Sequence, residues 1–327
     1  MGYDYLMNDY EYNCESETDY NYGCRPEQRS IAEHIDKGIF NIDKPAGPTS
    51  HEVDLWVKNI MDVEKTGHGG TLDPKVTGVL PVAMNQATRA LSLLLLLPKE
   101  YVCLMHIHKA VPVEDIISVF NEFTGKIYQM PPVKSAVKRQ LRVRSIYDVE
   151  ILEIENNQDV LFRVKCESGT YIRKYCHDIG EVLGCGAHMA ELRRTVSGVF
   201  TEEDSLTTLQ DVTDAYYFYK NCGDEHILRE LIHPMEYVTK NLKKIYVKDS
   251  AVDAICHGAN LASSGIVKLN KDINKNNTIC LMTLKDELLA IGESLYSADE
   301  ILSTTTKYVV KIQKVFILPK TYPKMWK

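Results

Sequence analysis

The feature that most constrains this chain is the run Gly67-His68-Gly69-Gly70-Thr71-Leu72-Asp73-Pro74-Lys75-Val76-Thr77-Gly78, in which four glycines surround one Asp-Pro step. Glycine permits positive φ and a close approach of ligand to backbone, and a residue before proline is pushed out of the helical region. Asp73 is therefore expected extended, on a loop. Pro74 fixes its own φ and donates no hydrogen bond, so the chain behind the carboxylate is stiff. Rigid placement of one acid is what acid, base or nucleophilic work requires. Gly-Gly and Asp-Pro are also ordinary turn formers, so spacing alone leaves a plain turn open. The run is not a phosphate-binding P-loop, because Lys75 is followed by Val76, and Leu72 occupies the last position of the dinucleotide G-x-G-x-x-G pattern.

The flanking chain places this loop among regular elements. Gly38 to Asp43 reads as a short buried strand ending at Lys44-Pro45, with a turn through Gly47-Pro48. Thr49 and Glu52 form a capping-box pattern, and Val53, Trp56, Val57, Ile60 and Met61 repeat at helical spacing. Further on, Val160, Phe162 and Val164 alternate with Leu161, Arg163 and Lys165 up to Ser168-Gly169, and Tyr175, Ile179, Val182 and Leu183 predict a helix stopped by Gly184. Within Gly169-Thr170-Tyr171-Ile172-Arg173 this puts an arginine in the first helical turn. The helix dipole disfavours a cation there by about 0.3–1 kcal/mol. A buried carboxylate such as Asp73 would compensate, since an arginine fork pairs well with it and keeps it ionised; the alternative is an arginine pointing into solvent.

At 327 residues two domains are expected. After about residue 240 short strands, Ile245 to Val247, Ile279 to Leu284 and Tyr308 to Ile317, alternate with Gly, Asn, Ser and Asp, the texture of a small barrel or sandwich. Residues 1–30 alternate acids with Tyr3, Tyr5, Tyr10, Tyr12, Tyr20 and Tyr22, lack apolar periodicity, and read as a flexible tail. No fixed-period repeat is visible, which argues against solenoids.

A net charge of −7 and pI near 5.8 argue at face value against a nucleic-acid partner. The distribution softens that objection. Residues 1–30 hold seven acids against two arginines, Lys134, Lys138, Arg139, Arg142 and Arg144 form a basic cluster, and residues 301–327 carry six lysines and no acid. These are either RNA-facing surfaces or solvated faces. The longest purely apolar run, Leu93 to Leu97, is far short of the roughly 20 residues that span a bilayer, and the amino terminus has no signal pattern, so a cytoplasmic location without membrane partners is expected. Nine cysteines without a CxxC suit reduced thiols. Cys176, His177, Cys185 and His188 match no zinc spacing, and Cys176 falls on an apolar helix face, so no metal is expected.

The run His68 to Gly78 resembles the Asp-containing motif of the TruB and dyskerin type of pseudouridine synthases, and three further motifs follow that family in order. Lys44-Pro45-x-Gly47-x-Thr49-Ser50 looks like its first motif, Lys99-Glu100-Tyr101 like its tyrosine motif, and Gly169 to Arg173 like its arginine motif. Pro131 to Arg139, Ala187 to Arg194 and Tyr322-Pro323-Lys324-Met325-Trp326 are similar to the archaeal dyskerin branch, the catalytic subunit of H/ACA guide-RNA particles. The resemblance covers roughly residues 31–327, with no counterpart for the tail. It implies an α+β fold: a mixed-sheet catalytic domain over residues 31–239 and a C-terminal all-β PUA barrel over 240–327 that grips guide RNA. It further implies Asp73 as catalytic carboxylate, Arg173 as its partner, and Tyr101 as stacking face for the target base and candidate proton acceptor. His68 would lie near the displaced base, Tyr171 would be a pocket wall, Lys44 would support the site, and Lys134 to Arg144, with Lys138, Arg139 and Arg142, would be a mobile loop closing over substrate. Pro98, where the family usually has glycine, and Met130, where a basic residue is frequent, depart from the pattern. Implied partners are a guide RNA, substrate rRNA or tRNA, and small particle proteins of zinc-ribbon, glycine-arginine and kink-turn-binding types; no cofactor is implied.

Other functions fit less well. A glycoside hydrolase normally needs two acids about 5–10 Å apart, and no second acid accompanies Asp73 in its segment. An inactive RNA-binding scaffold would require a broken catalytic set, whereas Asp73, Tyr101 and Arg173 are all present. A stand-alone tRNA uridine synthase shares every catalytic residue and is the main alternative.

Overall fold

A computed structural model describes residues 9–131, 140–204, 206–303 and 308–325. Lys134, Lys138 and Arg139 of the basic cluster therefore lie outside the described residues. The chain divides into two compact units, one of residues 39–233 and one combining the amino-terminal stretch to residue 38 with residues 234–327.

The first unit is built on a mixed sheet. Strands Ile232–Pro234, Gly38–Lys44, Thr77–Met84, Ala187–Ser197, Lys99–Ile107, Asp159–Cys166, Arg142–Glu155 and Gly125–Gln129 lie side by side in that order. Thr77–Met84 and Ala187–Ser197 run parallel, while Lys99–Ile107 pairs antiparallel with both its neighbours. Tyr101, Cys103, Met105 and Ile107 alternate into the core with Phe162 and Val164 beside them. Helices Val113–Glu122 and Ile172–Val182 cover that face, with Phe120 edge-on to Phe162 at 5.0 Å between ring centres. Cys176 is buried there, its Sγ 3.6 Å from that of Cys103, so it serves the core.

The Thr49–Glu52 capping box opens helix Ser50–Met61, as the sequence predicts. Its buried stripe is Ser50, Val53, Asp54, Val57 and Met61. Trp56, expected on the apolar face, is exposed, because the stripe at steps of three and four turns one position away from it. Asp54 takes the buried place for a polar reason given below.

The second unit carries a six-stranded sheet in the order Tyr10–Tyr12, Ile266–Asn270, Lys243–Val247, Thr278–Met282, Leu288–Ser294, Val310–Val315. Short helices Ile31–Asp36, Asp249–Cys256 and Ala298–Ser303 belong to the same unit, which is therefore β-dominated with short helices added. The stretch read as a flexible tail is corrected from residue 9 onward. Tyr10, Glu11 and Tyr12 pair antiparallel with Asn270, Leu269 and Lys268. The Lys268 ammonium lies over the rings of Tyr10, Tyr12 and Tyr246. Asp249 accepts hydrogen bonds from the Thr18 hydroxyl and the Asp19 amide, and Arg29 forks onto the buried Glu236 at 2.9 and 2.7 Å. The alternating pattern cannot make a core of its own, but it suits an added strand on an existing sheet edge.

Candidate active site

Asp73 sits on the loop between strands Thr66–His68 and Thr77–Met84. The segment Lys44 to Ser50 supplies the clamp on this loop. Lys44 is fully buried, and its Nζ donates to the carbonyls of Pro45 at 2.8 Å, Pro74 at 3.0 Å and Val76 at 2.9 Å. The Gly47 amide donates to Pro74 O at 2.9 Å. The Ser50 hydroxyl accepts from the Leu72 amide at 2.8 Å and lies 3.1 Å from the Leu72 carbonyl, to which it donates. Residues 72, 74 and 76 are thus held from one side, leaving the side chain of residue 73 between them unclamped. The Val76 amide closes a turn onto Asp73 O at 3.0 Å.

Arg194 is the second clamp. It is almost wholly buried, with Nε donating to Val79 O at 2.7 Å and Nη2 to Gly70 O at 3.0 Å. Gly78 adopts φ +99°, and a Cβ there would meet the Arg194 carbonyl oxygen at 2.2 Å, so the loop's exit admits only glycine.

Asp73 meets the guanidinium of Arg173, in the first turn of helix Ile172–Val182. The cation that the helix dipole disfavours thereby gains its anion. The expected buried carboxylate is corrected: both side chains are more than half exposed, because the glycine-flanked loop and the helix start both face outward. Tyr101 lies in the adjoining strand, buried, across from Arg194 and Val164. Burial raises its pKa; Arg194 opposes the shift and the charge of Asp73 adds to it. Burial lowers the pKa of Lys44, against the pull of Asp73. Lys99 is also buried, donating to Leu94 O at 2.7 Å and Leu97 O at 3.0 Å, and burial with nearby Arg194 brings its pKa down to about 7.

His68 is pinned at both nitrogens, with Nδ1 2.5 Å from Asp54 Oδ2 and Nε2 3.1 Å from the Thr71 hydroxyl. Asp54 is buried to make that contact. Tyr171 precedes the Arg173 helix, where the buried Gln129 side chain accepts from its amide at 3.0 Å and donates to its carbonyl at 3.2 Å. Arg144 pairs with Glu167 at 2.9 Å and reaches Gly169 O at 3.3 Å, so it braces the turn leading to Arg173. Arg142 lies opposite Gln129 in the neighbouring strand.

The structure thus brings Asp73, Arg173, Tyr101 and Lys44 into one electrostatic neighbourhood. Sequence reasoning missed Asp54, Gln129, Lys99 and Arg194. Lys99 and Arg194 stand inside quoted motifs, and an unbroken Arg193-Arg194 in a strand is their one visible signal. Asp54 and Gln129 carry none.

Comparison with known proteins places every segment just described. Residues 58–172 match the TruB family pseudouridylate synthase N-terminal domain, 173–240 the tRNA pseudouridylate synthase B C-terminal domain, and 243–316 the PUA domain. Residues 4–54 match the DKCLD (NUC011) domain, so the amino-terminal stretch does have a counterpart. A probable tRNA pseudouridine synthase B of Methanothermobacter thermautotrophicus is 57% identical over 96% of each chain. One from Methanocaldococcus jannaschii is 56% identical over 96% of this chain and 93% of its own. Among solved structures, a chain of an H/ACA RNP bound to a substrate RNA containing 2'-deoxyuridine is 49% identical, with a TM-score of 0.90 and 98% of each chain covered. A chain of a Cbf5-Nop10-Gar1 complex is 51% identical, with a TM-score of 0.91 and 97% of each covered.

Proposed function

The chain belongs to the TruB family of pseudouridine synthases, and on that premise we propose that it converts uridine to pseudouridine in RNA as the catalytic subunit of an H/ACA guide-RNA particle. The observation that carries the catalytic reading is the exposed Asp73–Arg173 pair on a loop whose alternate residues are locked by Lys44, Gly47 and Ser50. The reaction detaches uracil from C1′, turns it and rejoins it through C5. The target must first leave its stack, at a few kcal/mol, least where it is unpaired. Asp73 acts on the sugar, as nucleophile at C1′ or as base on a sugar proton, and Arg173 offsets its charge. Tyr101 walls the base site, where stacking recovers about 1–3 kcal/mol. The burial that raises its pKa keeps the phenol neutral, which favours a wall over a proton acceptor. His68 and Tyr171 flank the base, Lys44 holds the loop, and Arg144 fixes the turn before Arg173.

The second unit serves as the grip on guide RNA, with Lys311, Lys314, Lys320 and Lys324 as phosphate contacts. Zinc-ribbon, glycine-arginine and kink-turn-binding proteins complete the particle, and its place is the cytoplasm; among the described residues no helix is long and apolar enough to cross a membrane. Asp73→Asn should abolish tritium release from C5-labelled uridine in RNA while leaving RNA affinity within a few fold; appreciable turnover sinks the assignment. The relatives named for tRNA favour a second reading, stand-alone action on tRNA. Initial rates on one RNA target, with and without complementary guide and partners, separate the two, equal rates supporting the second.

A further inference from the structure

Helix Ile172–Val182 carries Arg173 in its first turn, the part of a helix most prone to fray. Its N-cap residue, Tyr171, supplies no side-chain cap, and the helix dipole disfavours a cation at that end. With the guanidinium more than half exposed, its direction follows from the backbone that carries it. Another group must hold that backbone.

Gln129 does so. It ends strand Gly125–Gln129, in which Ile127 and Gln129 turn inward and Tyr128 outward. Its Oε1 accepts from the Tyr171 amide at 3.0 Å and its Nε2 donates to the Tyr171 carbonyl at 3.2 Å. One side chain thus takes both backbone groups of one residue, as a paired strand would. The same carbonyl accepts from the Tyr175 amide at 3.0 Å, the first bond of the helix ladder. Gln129 is only 2% exposed. A buried amide is costly unless bonded, and an apolar side chain would fill the place without that cost, so the use of this amide lies in the bonds it makes.

We propose that Gln129 is a positioning residue for the Asp73–Arg173 pair: by fixing the backbone of Tyr171 it sets where the first helical turn begins and so aims Arg173 at Asp73. The inference rests on the function proposed above. A second tie, at the other end of the same turn, agrees with it. Arg144 lies opposite Ile127 in the neighbouring strand and reaches both Glu167 and Gly169 O, while Glu167 Oε2 accepts from the Ser145 amide at 3.1 Å. The Glu167 carbonyl in turn accepts from the Thr170 amide at 3.2 Å and the Thr170 hydroxyl at 2.7 Å. Residues 167–171 are therefore held at both ends from one strand pair, and Arg173 follows two residues after the Gln129 tie. Without that tie the first turn unwinds, and a displacement of about 1 Å at a reacting group forfeits roughly 100-fold in rate.

The test compares Gln129→Met, which keeps the side-chain length and removes both bonds, with wild type in the particle reconstituted with guide RNA and partner proteins. On a matched RNA target kcat should fall by about 30–100-fold while KM stays within about threefold, because a buried side chain does not touch RNA. In the full chain alone, hydrogen exchange at the Tyr171 and Tyr175 amides should quicken by at least about tenfold, with strands Lys99–Ile107 and Asp159–Cys166 unchanged. Gln129→Glu keeps the acceptor but sets a carboxylate oxygen against the Tyr171 carbonyl; its kcat should fall by at least about tenfold, and it decides the matter if the Met variant does not fold. A kcat within about threefold of wild type, a loss confined to KM, unchanged exchange at the two amides, or exchange that quickens equally in the two strands overturns the inference. An inactive wild-type particle would instead sink the proposed function, and exchange at the two amides would still judge the tie.

Discussion

Lys44→Met tests whether the Asp73 loop is built as its hydrogen bonds say. The variant keeps the length of the stem and removes three donors, leaving the carbonyls of Pro45, Pro74 and Val76 without the ammonium that serves them. An orphaned buried carbonyl costs about 1–3 kcal/mol, so three set a span of roughly 3–9 kcal/mol. Against that, the fold no longer has to desolvate an ammonium, a relief of several kcal/mol, and the Gly47 amide still serves Pro74. The net loss should be about 2–4 kcal/mol, within the 5–15 kcal/mol that ordinary domains possess, so the protein remains folded. The larger effect is on chemistry. A reacting group displaced by about 1 Å forfeits roughly 100-fold in rate, and the clamp removed is the one on Pro74 and Val76, directly after residue 73. Urea denaturation and single-turnover pseudouridine formation check the two halves. The reasoning fails if kcat stays within about threefold of wild type, or if stability changes by less than about 1 kcal/mol.

Other perturbations probe separate parts of the molecule. Arg173→Leu should leave stability within about 1 kcal/mol, because its ion pair is solvent-exposed, while turnover collapses; normal turnover would show that Asp73 needs no partner. Lys99, at about 7 against an ordinary 10.5, binds a proton in the unfolded chain but not in the folded one between those values. Stability should therefore rise with pH across that window, by up to about 1.4 kcal/mol per unit, and Lys99→Met should flatten this slope in denaturation curves taken from pH 7 to 10. Glu236→Ala strands the buried Arg29 and should destabilise the unit containing it by about 3–5 kcal/mol; a loss near zero in urea denaturation would mean the amino-terminal stretch is not held by that pair.

What could be read from the sequence divides along a physical line. Glycine and proline act locally, so the extended Asp73 loop and the Thr49–Glu52 cap were visible without tertiary context, and Arg173 in a first turn announced a missing anion because the helix dipole is local too. Three strands after residue 240 were placed to within a few residues for the same reason, whereas Ile266–Asn270 and Leu288–Ser294 were not singled out. Two cations escaped in their true role: Lys99 and Arg194 look like surface charges, yet each, like the Lys44 expected to support the site, spends its donors on backbone carbonyls inside the catalytic unit. Such a partner has no residue identity, so no spacing rule can find it, and the net charge of the chain says nothing of where its cations go. The same blindness produced the error over residues 9–30, whose strand exists only because Ile266–Asn270 offers an edge. Buried cations bonded to carbonyls also explain the site's character. They rigidify the frame without neutralising Asp73, and among the described residues the guanidinium that pairs with that carboxylate is the exposed one of Arg173. The Asp73–Arg173 pair thus stands in water, where its mutual attraction is weak; on the function proposed above, that attraction would strengthen when an RNA base covers it and excludes solvent.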